Sequence, residues 1–305
     1  MLKGRPAQIG ELEISNICQL LPEMLSEEPS CLSLNLSHPL NVVGDIYGHF
    51  TELLQTLTEL GHPPATRYLF LGNYVGRGER SVETIALLFS YKLLYPEKVY
   101  LLRGSHECEQ LGRAYGFFAE VSGRFSHRLW KSIMNTFNYL PVTAIIENSI
   151  FCSHSGISPC VLYSGCQNVK DLETYINRWI LRPSEVESNL LLTHFIWSQP
   201  DSETKGWTRN PCGLGYLFGP KELGMMRTVF QQYRNRKKLP VDAISGEFYL
   251  HFRPHRALDY SPDTDLISGD ASNAPLELSQ LPATTPPNST RCLFFKTSPT
   301  THILH

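Results

Sequence analysis

The chain has 305 residues, 42% of them hydrophobic, with 27 Lys plus Arg against 29 Asp plus Glu. That is enough apolar material for a full core. The formal net charge of −2 argues against a nucleic-acid binder held by bulk electrostatics. No stretch approaches the ~18 apolar residues of a membrane span, and the N-terminus has no apolar signal region. The eight cysteines are scattered without a C-x-x-C pair, so they read as reduced thiols of a cytoplasmic or nuclear protein.

In chain order, three apolar strands are predicted, each running into a polar loop. Leu40 to Val43 leads to Gly44-Asp-Ile-Tyr-Gly-His. Tyr68 to Leu71 leads to Gly72-Asn-Tyr-Val-Gly-Arg-Gly, and Val99 to Leu102 to Arg103-Gly-Ser-His-Glu. Helical periodicity follows each loop, at Phe50 to Leu60, Ser81 to Tyr95 and from Glu107. Strand, glycine-bearing loop and helix in alternation predict an α/β fold whose ligands gather at the carboxyl ends of the strands. Val142 to Ile146 and Ser149 to Phe151 read as a hairpin through Glu147-Asn148, ending in Ser153-His-Ser-Gly. Helices are expected at Val169 to Trp179, Leu190 to Ile196 and Pro220 to Tyr233, with an irregular Gly- and Pro-bearing loop from Asp201 to Gly219. The basic run Arg234-Asn-Arg-Lys-Lys reads as a solvated helix end, with a nuclear signal or phosphate patch as the alternative. Residues 1–259 are expected to form one domain. Residues 260–305, rich in Ser, Thr and Pro, read as an unstructured tail in which Cys292-Leu-Phe-Phe is a short apolar docking element.

The four loops resemble, in order and spacing, those of the phosphoprotein phosphatases, with the protein phosphatase 1 type the nearest in appearance. Ser81-Val-Glu-Thr, Ala114-Tyr-Gly-Phe-Phe, Arg182-Pro-Ser-Glu-Val and Trp197-Ser-Gln-Pro-Asp extend the likeness. The resemblance implies a metallophosphoesterase β-sandwich flanked by helices, with the C-terminal part of its second sheet incomplete. It also implies two divalent metals, Mn or Fe and Zn, and partners that are phosphoproteins or phosphatase regulatory subunits. Nucleic acid and membrane are not among them.

Carried over residue by residue, the match is partial. Asp45 and His154 stand at metal-ligand positions, but Tyr47 replaces a ligand His, Asn73 the bridging Asp and Ser105 the ligand Asn. His255, in Arg253-Pro-His, is the candidate sixth ligand, with a solvent-facing loop histidine as the alternative. His49 has two readings, a ligand in place of Tyr47 or a polar residue in the first turn of the following helix. His106 matches the general acid, with Gly76 where an orienting Asp belongs. Arg77 matches one phosphate-gripping Arg, its alternative being a structural tie; Cys212 replaces the other. Arg103 reads as a structural tie to carboxylates.

The replacements weaken metal binding. A neutral amide is a poor bridge between dications, and a phenol must lose a proton of pKa about 10 to bind well. Phosphomonoester hydrolysis is among the slowest uncatalysed reactions, so a site short of metals has little else to draw on. Three readings follow: a phosphatase-like binding protein with little or no hydrolysis, an active Ser/Thr protein phosphatase with a reduced metal site, and a truncated product without function.

Overall fold

Alternation along the strands sorts the apolar residues onto opposite faces, and those faces set the layers. The computed structural model describes residues 9–226, 250–251 and 293–295. The chain opens with α1 (Glu11–Glu27), β1 (Cys31–Leu34) and β2 (Leu40–Val43). Helix and strand then alternate through α2 (Phe50–Leu60), β3 (Arg67–Phe70), α3 (Ser81–Leu94) and β4 (Val99–Leu101). Helices α4 (Glu109–Ala114), α5 (Phe117–Arg124) and α6 (His127–Phe137) lead to a hairpin, β5 (Thr143–Ile146) and β6 (Ile150–Ser153). Next come α7 (Pro159–Leu162), α8 (Val169–Trp179) and α9 (Leu190–Trp197), then β7 (Gln199–Pro200), β8 (Trp207–Arg209) and β9 (Tyr216–Phe218). Two further strands are β10 (Leu250–His251) and β11 (Leu293–Phe295).

One sheet has the order β10-β2-β3-β4, with every pair parallel. The second runs β1-β5-β6-β11, parallel only at β1–β5. Tyr68 and Phe70 of β3 and Val43 of β2 face helices α1, α3, α5 and α6 in one core cluster. Leu69 and Val42 point the other way, into a cluster with Leu32, Leu34, Ala144, Ile146, Ile150 and Cys152 of the second sheet. Cys31, Ile145 and Phe151 turn outward from that second sheet onto α8 and α9. The two sheets therefore face each other, with a helical layer outside each. At roughly 1.5–3 kcal/mol per fully buried large apolar side chain, these three clusters are the main source of cohesion.

The sequence reading omitted α1, although Ile14, Cys18, Leu21 and Leu25 are buried at helical spacing along it. Pro22 inside the helix masks that periodicity. The stretch from Asp201 to Gly219, expected to be irregular, holds β8 and β9 in a small sheet with β7. Trp207 binds it together, its ring 5.8 Å from Tyr216 and 5.5 Å from Phe218. Leu293–Phe295, within the stretch read as a tail, pair antiparallel with β6. Of the expected helix Pro220 to Tyr233, residues 220–226 are helical; the remainder and the basic run lie outside the described residues. Among the described residues no helix is long and apolar enough to cross a membrane.

Gly72 brings the loops after β3 and β4 together. Its φ is +106°, and an added Cβ would lie 2.4 Å from the Gly104 backbone nitrogen. Gly72→Ala is therefore expected to lower unfolding free energy by at least about 1–3 kcal/mol from backbone strain alone, measured as a fall in the urea midpoint at unchanged m-value.

Candidate functional site

The loops following β2, β3, β4 and β6 meet at one edge of the molecule. The loop after β2 is laid on the loop after β3 by backbone bonds, Ile46 and Tyr47 both donating to Asn73 O at 2.9 and 2.8 Å. The Glu107 carboxylate accepts from the backbone N–H groups of Asn73 (2.7 Å), Tyr74 (2.8 Å) and Gly104 (2.9 Å). It thereby ties the loop after β4 to the loop after β3. Glu107 is fully buried; burial lifts its carboxyl to about 7, against the opposing pull of those N–H donors. Sequence reasoning missed this role, although a carboxylate inside a glycine-bearing loop is the residue type that gathers free backbone donors.

Asn73 sits at the centre with φ +56° and is buried. Its Nδ2 donates to the Tyr47 hydroxyl at 2.9 Å. Its Oδ1 accepts from the His106 backbone N–H at 2.9 Å and the Ser105 hydroxyl at 3.2 Å. Both ends of the amide are committed. Burial, reinforced by the nearby Asp45 charge, pushes the Tyr47 phenol well above its usual range. Asp45 Oδ1 is buried without a hydrogen-bond partner and lies 3.9 Å from His154 Nδ1. His154 donates from that nitrogen to Leu71 O at 2.8 Å.

His106 is buried and its Nδ1 meets Val75 O at 2.8 Å. A carbonyl only accepts, so the ring proton sits on Nδ1. Burial, with Arg77 nearby, lowers the imidazole to about 3. At Gly76 (φ +86°) an added Cβ would lie 2.6 Å from that same Nδ1, leaving no room for an orienting carboxylate in this backbone conformation. Arg77 is exposed, with its guanidinium 4.9 Å from both the Tyr47 and Tyr115 rings. Those rings also flank His106, at 4.7 and 5.0 Å. Tyr115 was not singled out as a site residue from the sequence; it lies in the matched Ala114-Tyr-Gly-Phe-Phe segment.

Arg103 is a structural tie, but not to carboxylates: it donates to the carbonyls of Glu107 and Ser184 and to Asn138 Oδ1. Cys212 bonds within its own turn, Sγ to Leu214 O at 3.4 Å. His49 immediately precedes α2 as its N-cap residue. His255 lies outside the described residues.

Residues 38–246 match the family model described as calcineurin-like phosphoesterase, more than half of the chain. The chain belongs to that family. Among solved structures, a protein serine/threonine phosphatase from Saccharomyces cerevisiae, with similarity to human phosphatase PP5, superposes on this phosphoesterase with a TM-score of 0.63. It is 26% identical over 71% of this chain and 67% of that one. A cold-active protein-tyrosine phosphatase from a psychrophilic Shewanella species gives a TM-score of 0.45 at 12% identity, covering 67% of this chain and 66% of its own; it carries no weight in the assignment.

Calcineurin-like phosphoesterases typically bind two metals. Two dications held about 3.5–4 Å apart need charge-compensating, bridging oxygen donors. The cluster formed here by Asp45, Tyr47, Asn73, Ser105 and His154 has one carboxylate, a neutral phenol and an amide oxygen that already accepts two hydrogen bonds. Among the described residues no group of three or more His, Cys, Asp or Glu side chains is arranged to hold a metal ion. These residues do not fit a two-metal centre.

The loop carrying His154 is held from below by His194, whose Nδ1 meets the buried Ser158 hydroxyl at 2.8 Å. Ser158 Oγ also accepts from Cys160 N–H, so its hydroxyl proton goes to His194 as an acceptor. Burial lowers His194 from 6.5 to about 4. The unfolded chain therefore takes up this proton first as pH falls. The associated stability is complete above about 6.5 and is lost progressively toward about 4. The melting-temperature gap between wild type and His194→Gln is expected to be largest at pH 7 and to narrow by pH 4, read by calorimetry.

Proposed function

We propose that this phosphoesterase is a serine/threonine phosphatase-like protein of the protein phosphatase 1 type with a degenerate metal site, binding phosphorylated protein segments or phosphatase partners rather than hydrolysing phosphomonoesters. One observation carries the reading: the Asn73 amide, at the position that should join two metals, is spent at both ends on Tyr47, Ser105 and His106. Three features add support. The cluster contains one carboxylate. The Nδ1 proton of His106 is directed at a backbone carbonyl. The place of the second phosphate-gripping Arg is taken by a thiol engaged within its own turn.

What survives favours binding. Arg77 is always charged, presents planar donors to a phosphate without needing a metal, and is stiffened by the two rings it lies against. One exposed guanidinium without a second Arg makes a weak clamp whose attraction falls with salt.

Phosphoserine-peptide hydrolysis in the presence of Mn, followed by phosphate release, is expected to stay at the buffer rate. Binding of the same peptide, followed by titration calorimetry, should weaken several-fold in Arg77→Ala and in high salt. Turnover in the wild type that disappears in His106→Ala would establish a working phosphatase and overturn the reading. Binding indifferent to Arg77→Ala would remove the phosphate-binding part of it.

A further inference from the structure

We infer that Tyr47 is a resident substitute for metal: its side chain cross-links the loops after β2 and β3, so that the site holds its shape without any cation. The inference rests on the reading above and names what took the place of the missing ions.

The cross-link is built from both ends of the residue. In its backbone, Tyr47 N–H donates to Asn73 O at 2.8 Å, and Tyr47 O accepts from Gly78 N–H at 2.7 Å. At its tip the hydroxyl receives Asn73 Nδ2 at 2.9 Å, close enough to Asp45 to feel its charge. The ring fills the space between them, packing edge-on to His106 and beneath the Arg77 guanidinium. A hydroxyl can donate one proton and accept others. It can therefore accept from the Asn73 amide while keeping its own proton for an acceptor on the Asp45 side, and these are the two groups that would otherwise face the same cation.

The replacement is consistent on both sides. An Asp at 73 would set a second carboxylate against the Tyr47 hydroxyl, and only one of the two could receive its proton. The amide resolves this by donating from Nδ2, while Oδ1 turns to the His106 N–H and the Ser105 hydroxyl. Tyr47, Asn73 and Ser105 thus form one hydrogen-bonded set spanning three loops. A cation entering among them would have to displace protein–protein hydrogen bonds already made, for a gain limited by the single carboxylate of Asp45.

The test uses the full chain. For the wild type, elemental analysis is expected to find well under one equivalent of Mn, Fe or Zn. Its melting temperature should move by less than about 1 °C on adding EDTA or Mn, whereas Tyr47→Phe should melt about 2–6 °C lower. A wild-type melt that falls in EDTA, or a tightly held ion, would overturn the inference. So would a Tyr47→Phe protein as stable as the wild type. If Tyr47→Phe does not fold, the wild-type response to EDTA decides alone: no response supports a protein-made tie and a fall refutes it. Phosphopeptide turnover by a protein whose melt ignores EDTA would sink the functional reading while leaving the Tyr47 tie standing, so the two failures are distinguishable.

Discussion

The arrangement of the site depends on one buried carboxylate. Glu107 collects three backbone N–H groups from two loops that have no strand or helix partners for them. Unpaired, each buried donor would carry a desolvation cost of about 1–3 kcal/mol. Because the donors are fixed in the backbone, their convergence on one side chain sets the separation of the loops after β3 and β4 to within a hydrogen-bond length. Asn73 and Tyr74 are themselves anchored, and Ser105 and His106 lie between the anchored Gly104 and Glu107. The clamp therefore fixes where these four residues stand.

Charge then separates scaffold from chemistry. Glycines, the clamp and the layered core are neutral to what the cleft holds. The cluster around Asn73 carries a single carboxylate, and its amide, phenol and hydroxyl groups answer one another by hydrogen bonds, so the buried polar atoms stay largely satisfied. Asp45 Oδ1 is the exception, a buried acceptor 3.9 Å from an imidazole nitrogen already turned toward Leu71 O.

Much of this was legible in the sequence. The strand-to-loop transitions at Leu40, Tyr68 and Val99 carried both the parallel sheet and the site edge, because apolar runs end where polar, glycine-bearing loops begin. The hairpin through Glu147-Asn148 was readable, and both turn residues take φ +50°, as a tight hairpin requires. What escaped was of two kinds. Pro22 broke the pattern of α1 although four apolar residues keep their spacing, and Gly and Pro hid the β8–β9 pair, which is joined by aromatic packing. The roles of Glu107 and Tyr115 were hidden for a different reason. A clamp on backbone donors and a ring beside an arginine are defined by three-dimensional convergence, and no spacing in the sequence encodes it.

Gly76 makes the turn and the imidazole one packed unit. With a left-handed backbone and the His106 ring edge 2.6 Å from where a side chain would begin, the imidazole occupies the volume that any side chain at this position would need. A larger residue here would have to pull the ring off Val75 O and reshape the turn together, so position 76 and the tautomer of His106 cannot be altered independently.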